Sequence, residues 1–304
     1  MKGRGFVKIM DAHAHIYERP TGFGARGEAR ALGGGMVEWA TGEREQLLRP
    51  EHGDTGFSPD KLIELMDEGG VERAVLLQSP NYGFQNGFIA EAVSRFPERL
   101  IGTGAFDPYC AKADDIFKNL TERFGFKSIK LDVSHDFGLT GYHTDLDING
   151  PLFDRYLALC EERGITVTVD MGTWDTKSFQ IHNVLAMLAR RKKLMFVMAH
   201  SLFPSHTDGH NDERLAYIRQ LAGENVYFDI ASLHPSENGT QYAYIRAVMD
   251  IVGADHRMWG TDGPGVFKRW RYAELIDSVC NGGYFTKEEL THLMHDTALH
   301  VYGS

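Results

Sequence analysis

The run Ile9-Met10-Asp11-Ala12-His13-Ala14-His15-Ile16 ends an apolar, strand-like segment with two histidines two residues apart. On a strand, residues i and i+2 point to the same face, so His13 and His15 present their imidazoles side by side. Neutral imidazole is a common ligand of divalent metals, and one ion can take both rings. Alone, a His-x-His pair says little, because histidines are also ordinary surface and hydrogen-bonded core residues. Its meaning depends on what the rest of the chain places beside it.

Counting residues 6–15 as the first, eight apolar, β-rich runs recur along the chain; the others are 71–79, 100–107, 128–133, 165–170, 195–200, 225–232 and 258–262. Each is followed by a segment with helical periodicity: 58–69, 85–96, 111–124, 151–164, 176–191, 212–223, 239–253 and 271–281. Ser58-Pro59-Asp60 supplies an N-cap and a proline at the first helical position, and Gly69-Gly70, Gly164 and Gly253 supply helix stops. Eight strand–helix units predict an α/β protein with a closed (β/α)₈ TIM barrel, residues 1–304 forming a single domain. A doubly wound open sheet is the alternative, but no Gly-x-Gly-x-x-Gly follows a strand. The connection after the first strand, residues 17–57, is far longer than an ordinary loop. Such a loop is either disordered or an active-site cover, and Phe23, Met36, Val37 and Trp39 favour the cover.

The formal charge of −10 argues against a general nucleic-acid binder, but a local basic cluster could still take an anionic small molecule. Cys110, Cys160 and Cys280 are odd in number and far apart, which predicts no disulfide framework and points to a reducing cytoplasm. Neither a signal peptide nor an apolar run of membrane-spanning length is visible.

In a (β/α)₈ barrel the reactive groups collect at the C-terminal strand ends. The first strand here ends in His13-Ala14-His15 and the sixth in Ala199-His200-Ser201, while the eighth runs into Gly260-Thr261-Asp262-Gly263-Pro264. The fourth carries Lys130-Leu131-Asp132, the fifth ends in Asp170-Met171-Gly172 and the seventh holds Asp229. Buried carboxylates and imidazoles need partners, so groups placed this way should pair with one another or with a cation. His200 and Asp262 read as functional, although Asp-Gly-Pro is also strong turn chemistry. Asp170 suits a metal ligand or a helix cap equally well. Lys130 reads as a structural ion-pair lysine and Asp229 as structural. The remaining histidines fall in loops, helices or the tail, and His234, just after the seventh strand, stands out among them.

The pattern resembles the amidohydrolase superfamily, specifically the amidohydrolase-2 group that includes aminocarboxymuconate-semialdehyde decarboxylase-like proteins. The resemblance runs from the opening His-x-His through Phe196-Val197-Met198-Ala199-His200 and Trp259-Gly260-Thr261-Asp262-Gly263-Pro264 to the tail. It implies one divalent metal ion, zinc or manganese, held by His13, His15 and Asp262, with His200 as acid/base or as the group that polarises the substrate. That group usually places a histidine at the end of the fifth strand, where this chain has Asp170. An aspartate there would make a harder, oxygen-rich site with Asp170 as a further ligand, and some members of the group work without metal. The implied activity is hydrolysis of a small organic acid, amide or lactone, with His200 and Asp262 moving the proton. The alternatives are decarboxylation of an aromatic or cyclic carboxylate by the same groups, or a barrel that only binds. Tyr82, Trp174, Arg269 and Arg271 are the candidate substrate contacts, the two arginines as a clamp for a carboxylate. The resemblance also suggests a homodimer.

Overall fold

The computed structural model describes residues 7–205, 207–232 and 240–303. His206 and His234 lie outside the described residues. The eight predicted strands are all present and parallel: β1 (Met10–Ala14), β2 (Arg73–Leu76), β3 in two pieces (Leu100–Gly102 and Gly104–Ala105), β4 (Ser128–Asp132), β5 (Thr166–Asp170), β6 (Phe196–Met198), β7 (Val226–Asp229) and β8 (Arg257–Met258). Neighbours in sequence are neighbours in space, and β4 and β5 pair in register from Ser128 opposite Thr166 to Asp132 opposite Asp170. The ring closes where the end of β8 meets β1. The N–H of Ala12 donates to Trp259 O at 2.9 Å, that of Asp262 to His13 O at 2.7 Å and that of His15 to Gly263 O at 2.8 Å. Pairing of the first and last strands is what separates a barrel from an open sheet.

Strand composition explains the burial. Both faces are covered, so the runs are almost continuously apolar, and β1, β4 and β5 are buried along their whole length. Helices α1 (Pro59–Gly69), α2 (Asn86–Arg95), α3 (Ala113–Lys118, with a wider turn over Asn119–Arg123), α4 (Pro151–Arg163), α5 (Ile181–Arg190), α6 (Asn211–Leu221), α7 (Thr240–Val252) and α8 (Tyr272–Cys280) alternate with the strands. Ser58 caps α1 by accepting from the Lys61 N–H at 3.1 Å, and Gly70 ends it at φ +72°. Helix α5 begins later than its periodicity predicts. The Gln180 side chain binds the Ile148 N–H and Leu146 O, and this holds residues 173–180 as turns over the barrel mouth.

The C-terminal tail is helical. It forms α9 (Lys287–Thr291), a wide turn (His292–Asp296) and α10 (Thr297–Tyr302). Ala298, Val301 and Tyr302 pack against Met10, Val75 and Val197 inside the lower barrel. Tyr302 Oη lies 2.7 Å from Thr168 Oγ1. The helix therefore plugs the floor and leaves the opposite end open for chemistry.

Residues 17–57 are not an irregular loop. They contain four short antiparallel strands, Phe23–Gly24, Gly27–Gly33, Met36–Trp39 and Arg44–Gln46. Gly33, Gly34 and Gly35 turn the central hairpin at positive φ, a conformation that side-chain-bearing residues resist. The Phe23 N–H donates to Pro80 O at 3.0 Å and the Thr21 N–H to Tyr82 O at 3.2 Å, fixing the sheet beside the end of β2.

Asp11 ties the closing seam to the outer layer. It is fully buried and accepts from the N–H groups of His13 and Thr261, both at 3.0 Å, from Thr261 Oγ1 at 2.6 Å and from Tyr272 Oη at 2.7 Å. Removing the phenol with Tyr272→Phe should lower the unfolding free energy by about 2 kcal/mol, the size of a hydrogen bond to a buried charged group. Chemical denaturation of the variant beside the wild type measures it, and an unchanged midpoint would refute the clamp.

Candidate active site

The C-terminal strand ends surround a cavity of about 310 Å³ lined by His15, Tyr82, Lys130, Asp132, Asp170, His200 and Asp262 among others. At its floor, a nitrogen of His13, a nitrogen of His15 and an oxygen of Asp262 all lie within 4.8 Å of one another.

Hydrogen-bond chemistry fixes which ring nitrogens face this point. His13 Nδ1 lies 3.0 Å from Asp229 Oδ2, His15 Nδ1 2.9 Å from Leu77 O and His200 Nδ1 3.0 Å from Ala231 O. All three partners only accept, so each Nδ1 carries the proton and each Nε2 is turned inward. His13 Nε2 is 3.7 Å and His15 Nε2 2.9 Å from Asp262 Oδ1. Two ligands of a tetrahedral ion at zinc–nitrogen distances stand roughly 3.3 Å apart, so this spacing fits one divalent cation. Burial, with Lys130 close by, lowers the His13 pKa to about 4 and keeps the ring a neutral donor. Burial works against the Asp262 carboxylate, but the histidines around it, His15 first and then His200 and His13, hold it ionised, well below its ordinary range.

A second trio, His13, His200 and Asp229, is equally compact. There the carboxylate is already engaged. Asp229 Oδ2 takes the His13 ring, and Oδ1 takes the N–H groups of His200 at 2.8 Å and Ala231 at 3.1 Å. Asp229 therefore orients the histidines. A carboxylate behind a ligating imidazole fixes its tautomer and raises its basicity.

Three strand ends leave the barrel through left-handed residues that are not glycine: His200 at φ 55°, Ser232 at φ 61° and Asp262 at φ 62°. Such backbone costs of order 1–3 kcal/mol per residue and persists only where the surroundings impose it. At His200 they do: Ser201 Oγ donates to Asp229 O, Tyr244 Oη donates to Ser201 O at 2.9 Å, and Phe203 stacks on the imidazole. Ser232 Oγ donates to Asp262 Oδ2.

Asp170 lines the cavity on the side of His200. It belongs to neither trio, and no helix starts at it. Its Oδ2 lies 3.3 Å from His200 Nε2 and its Oδ1 accepts the Gly172 N–H at 2.8 Å. Burial opposes charging His200, but the Asp170 carboxylate outweighs it and raises the imidazole pKa to about 9.

Of the remaining sequence candidates, Tyr82 lines the cavity and Trp174, Arg269 and Arg271 do not. Trp174 stacks on His210 beside Arg214. Arg271 is exposed and pairs with Glu274 in the capping box of α8. From that basic stretch it is Lys268 that reaches the cavity, 3.7 Å from Glu45 of the inserted sheet. Lys130 is more than an ion-pair residue, with Nζ 3.3 Å from His13 Nε2. Asp132, Ser79, Asn81 and Ser134 also line the cavity and had no role assigned. The i, i+2 spacing of Lys130 and Asp132 was the available signal.

With the fold and site described, comparison with known proteins places the chain. The amidohydrolase family model matches residues 10–304. The chain belongs to the amidohydrolase family. An L-fucono-1,5-lactonase of Burkholderia ambifaria is 24% identical over 239 residues, 74% of this chain and 77% of that protein. A Burkholderia multivorans amidohydrolase crystallised with bound zinc superposes at a TM-score of 0.71 with 16% identity, covering 97% of this chain and 99% of that one. The 2,6-dihydroxybenzoate decarboxylase from Rhizobium gives a TM-score of 0.58 and 14% identity over 80% of this chain and 88% of its own. Among the described residues, no helix is long and apolar enough to cross a membrane.

The loop behind His200 has its own anchor. Arg214, 1% exposed, donates from Nε to Leu202 O at 3.0 Å and from its two terminal nitrogens to Asp208. The bond from Arg214 lowers the Asp208 pKa to about 2. A depressed carboxylate contributes stability above its unfolded pKa of 3.8 and loses it as the pH falls through the folded value. Asp208→Asn should therefore cost about 1 kcal/mol at neutral pH. The gap to wild type should close as the pH falls from 3.8 towards about 2. Thermal unfolding across that range tests this, and a gap independent of pH would refute it.

Proposed function

We propose that this protein is a metal-dependent hydrolase that opens an ester-type carbonyl, and that a lactone is its substrate type. The observation that carries the reading is the convergence of His13 Nε2, His15 Nε2 and Asp262 Oδ1 at the floor of the cavity. The lactonase relative supports the bond type. A divalent ion, zinc or manganese, would be held by those three residues. When bound there, it supplies a Lewis acid that makes water more acidic and polarises a carbonyl.

The chain's own residues divide the remaining work. Asp229 and Leu77 O hold the two ligating imidazoles in the tautomer that offers Nε2. His200 Nε2, kept protonated by Asp170, faces the cavity as a hydrogen-bond donor to developing negative charge on the substrate oxygen. From the same atom it delivers a proton to the leaving alkoxide. Asp262, steadied by Ser232, accepts a proton from the attacking water through its free lone pairs. Lys130 adds positive charge beside His13. Residues 17–57 act as a cover, since Glu45 and Leu47 line the cavity wall.

The decarboxylase alternative uses the same floor, and the decarboxylase of like fold keeps it in view. What disfavours it is the placement of Arg269 and Arg271 away from the cavity, which removes the expected carboxylate clamp.

Elemental analysis should find close to one divalent ion per wild-type chain and almost none in His13→Ala. The variant should lose about a thousandfold in kcat/KM for lactones. Acid release from a lactone panel, run beside CO₂ release from hydroxybenzoates, separates the two chemistries. CO₂ alone would overturn the hydrolase, and full activity in metal-free protein would overturn the metal.

A further inference from the structure

Lys130 carries its charge to the floor of the cavity from the middle of β4. It is 3% exposed, and its strand is paired on both sides, with Lys130 opposite Ala105 of β3 and Thr168 of β5. The backbone is thereby fixed, and the side chain lines the cavity. Nζ lies 3.3 Å from His13 Nε2, and among the described residues it makes no other hydrogen bond or ion pair. The two nearest carboxylates are bonded elsewhere. Asp132 accepts from Ser79 and Ser134, and Asp170 is held by His200 and the Gly172 N–H. Both balance the lysine through space, yet neither gives its N–H groups an acceptor.

The hydrolase reading gives His13 Nε2 to the divalent ion. Lys130 then has three N–H donors and no protein acceptor, a costly state for a buried group. The acceptor has to come from the open side of Nζ, which is the cavity. An oxygen that gains charge during the reaction suits it best, because a lysine is a compact point charge that donates without giving up its proton.

His200 leaves such an oxygen to be served. Its Nδ1 is bonded to Ala231 O, so only the Nε2 proton faces the cavity. Ester cleavage builds charge at two places, first on the carbonyl oxygen and then on the ring oxygen. Once His200 passes its proton to the ring oxygen, it has none left to hold the carbonyl oxygen.

We propose that Lys130 is a further catalytic residue, whose Nζ donates to the substrate carbonyl oxygen and holds the negative charge that forms there. The proposal rests on the hydrolase reading and adds a division of labour to it. Water bonds to the acyl carbon as Asp262 takes one of its protons, and the carbonyl π pair moves onto the oxygen facing Lys130. That pair then returns, the acyl–oxygen bond of the ring breaks, and the His200 proton ends on the freed alkoxide. The proton on Asp262 restores His200, and the new carboxylic acid releases its own on ionising.

The test compares metal-loaded wild type with Lys130→Met on δ-valerolactone, a hexono-1,5-lactone and δ-thiovalerolactone. The variant should keep close to one divalent ion per chain by elemental analysis. Its kcat on the oxygen lactones should fall about a hundredfold, with KM changed by less than about threefold. The thiolactone loses a thiolate that needs no proton, so the loss there should be about as large. Calorimetry adds a readout without turnover. A six-membered cyclic phosphonate monoester, anionic and tetrahedral like the intermediate, should bind the variant at least about tenfold more weakly, while neutral, planar δ-valerolactam should bind it about as well as wild type. Should Lys130→Met fail to fold, Lys130→Gln takes its place, with the same expected losses. Unchanged kcat, a loss confined to the oxygen lactones, equal weakening of phosphonate and lactam, or loss of the metal would each overturn the assignment of Lys130 and leave the hydrolase standing. No hydrolysis of any of the three by wild type would overturn the hydrolase reading as well.

Discussion

A single buried carboxylate, Asp229, holds the reactive end of the barrel together. One oxygen receives the His13 ring and the other receives the N–H groups of His200 and Ala231, so one group fixes the ends of β1, β6 and β7. A charge with no solvent exposure survives only when such bonds replace its lost hydration. Here they come from the groups the chemistry needs, so satisfying Asp229 and positioning the imidazoles are the same physical event. The left-handed turn at His200 is one consequence, because its N–H must bend back to reach that oxygen.

The electrostatic design follows from this. His13 is held neutral by burial and by nearby Lys130, whereas His200 is held protonated by Asp170 on the other side of the cavity. Two imidazoles a few ångströms apart thus carry different charges and suit different tasks. The wall beyond them sets five carboxylates beside Lys130, Lys268 and the protonated His200.

Much of this was legible in the chain. The eight strands and eight helices stood out because a parallel sheet covered on both faces leaves long apolar runs, and helices leave 3.6-residue periodicity with clear caps such as Ser58-Pro59. His13, His15, His200 and Asp262 stood out because polar residues ending apolar runs are conspicuous. The inserted sheet was harder to read, although Glu28-Ala29-Arg30-Ala31 alternates and three glycines follow shortly after. Its strands are too short to announce themselves among so many polar residues. Trp174, Arg269 and Arg271 have suitable chemistry, but their direction depends on turns that carry no periodic signal.

By itself, the sequence determined the order of the elements, the barrel and the four residues at its reactive end, because those depend on local periodicity and on which runs are apolar. The tertiary structure alone decided the partners. It set Asp170 against His200, made Asp229 the anchor of the imidazoles and brought Lys130 to His13. It also turned Lys268, rather than the neighbouring arginines, into the cavity. The physical reason is distance along the chain. His13 and Asp229 are 216 residues apart, and only the closing of the ring, β8 onto β1, brings such groups within hydrogen-bond reach.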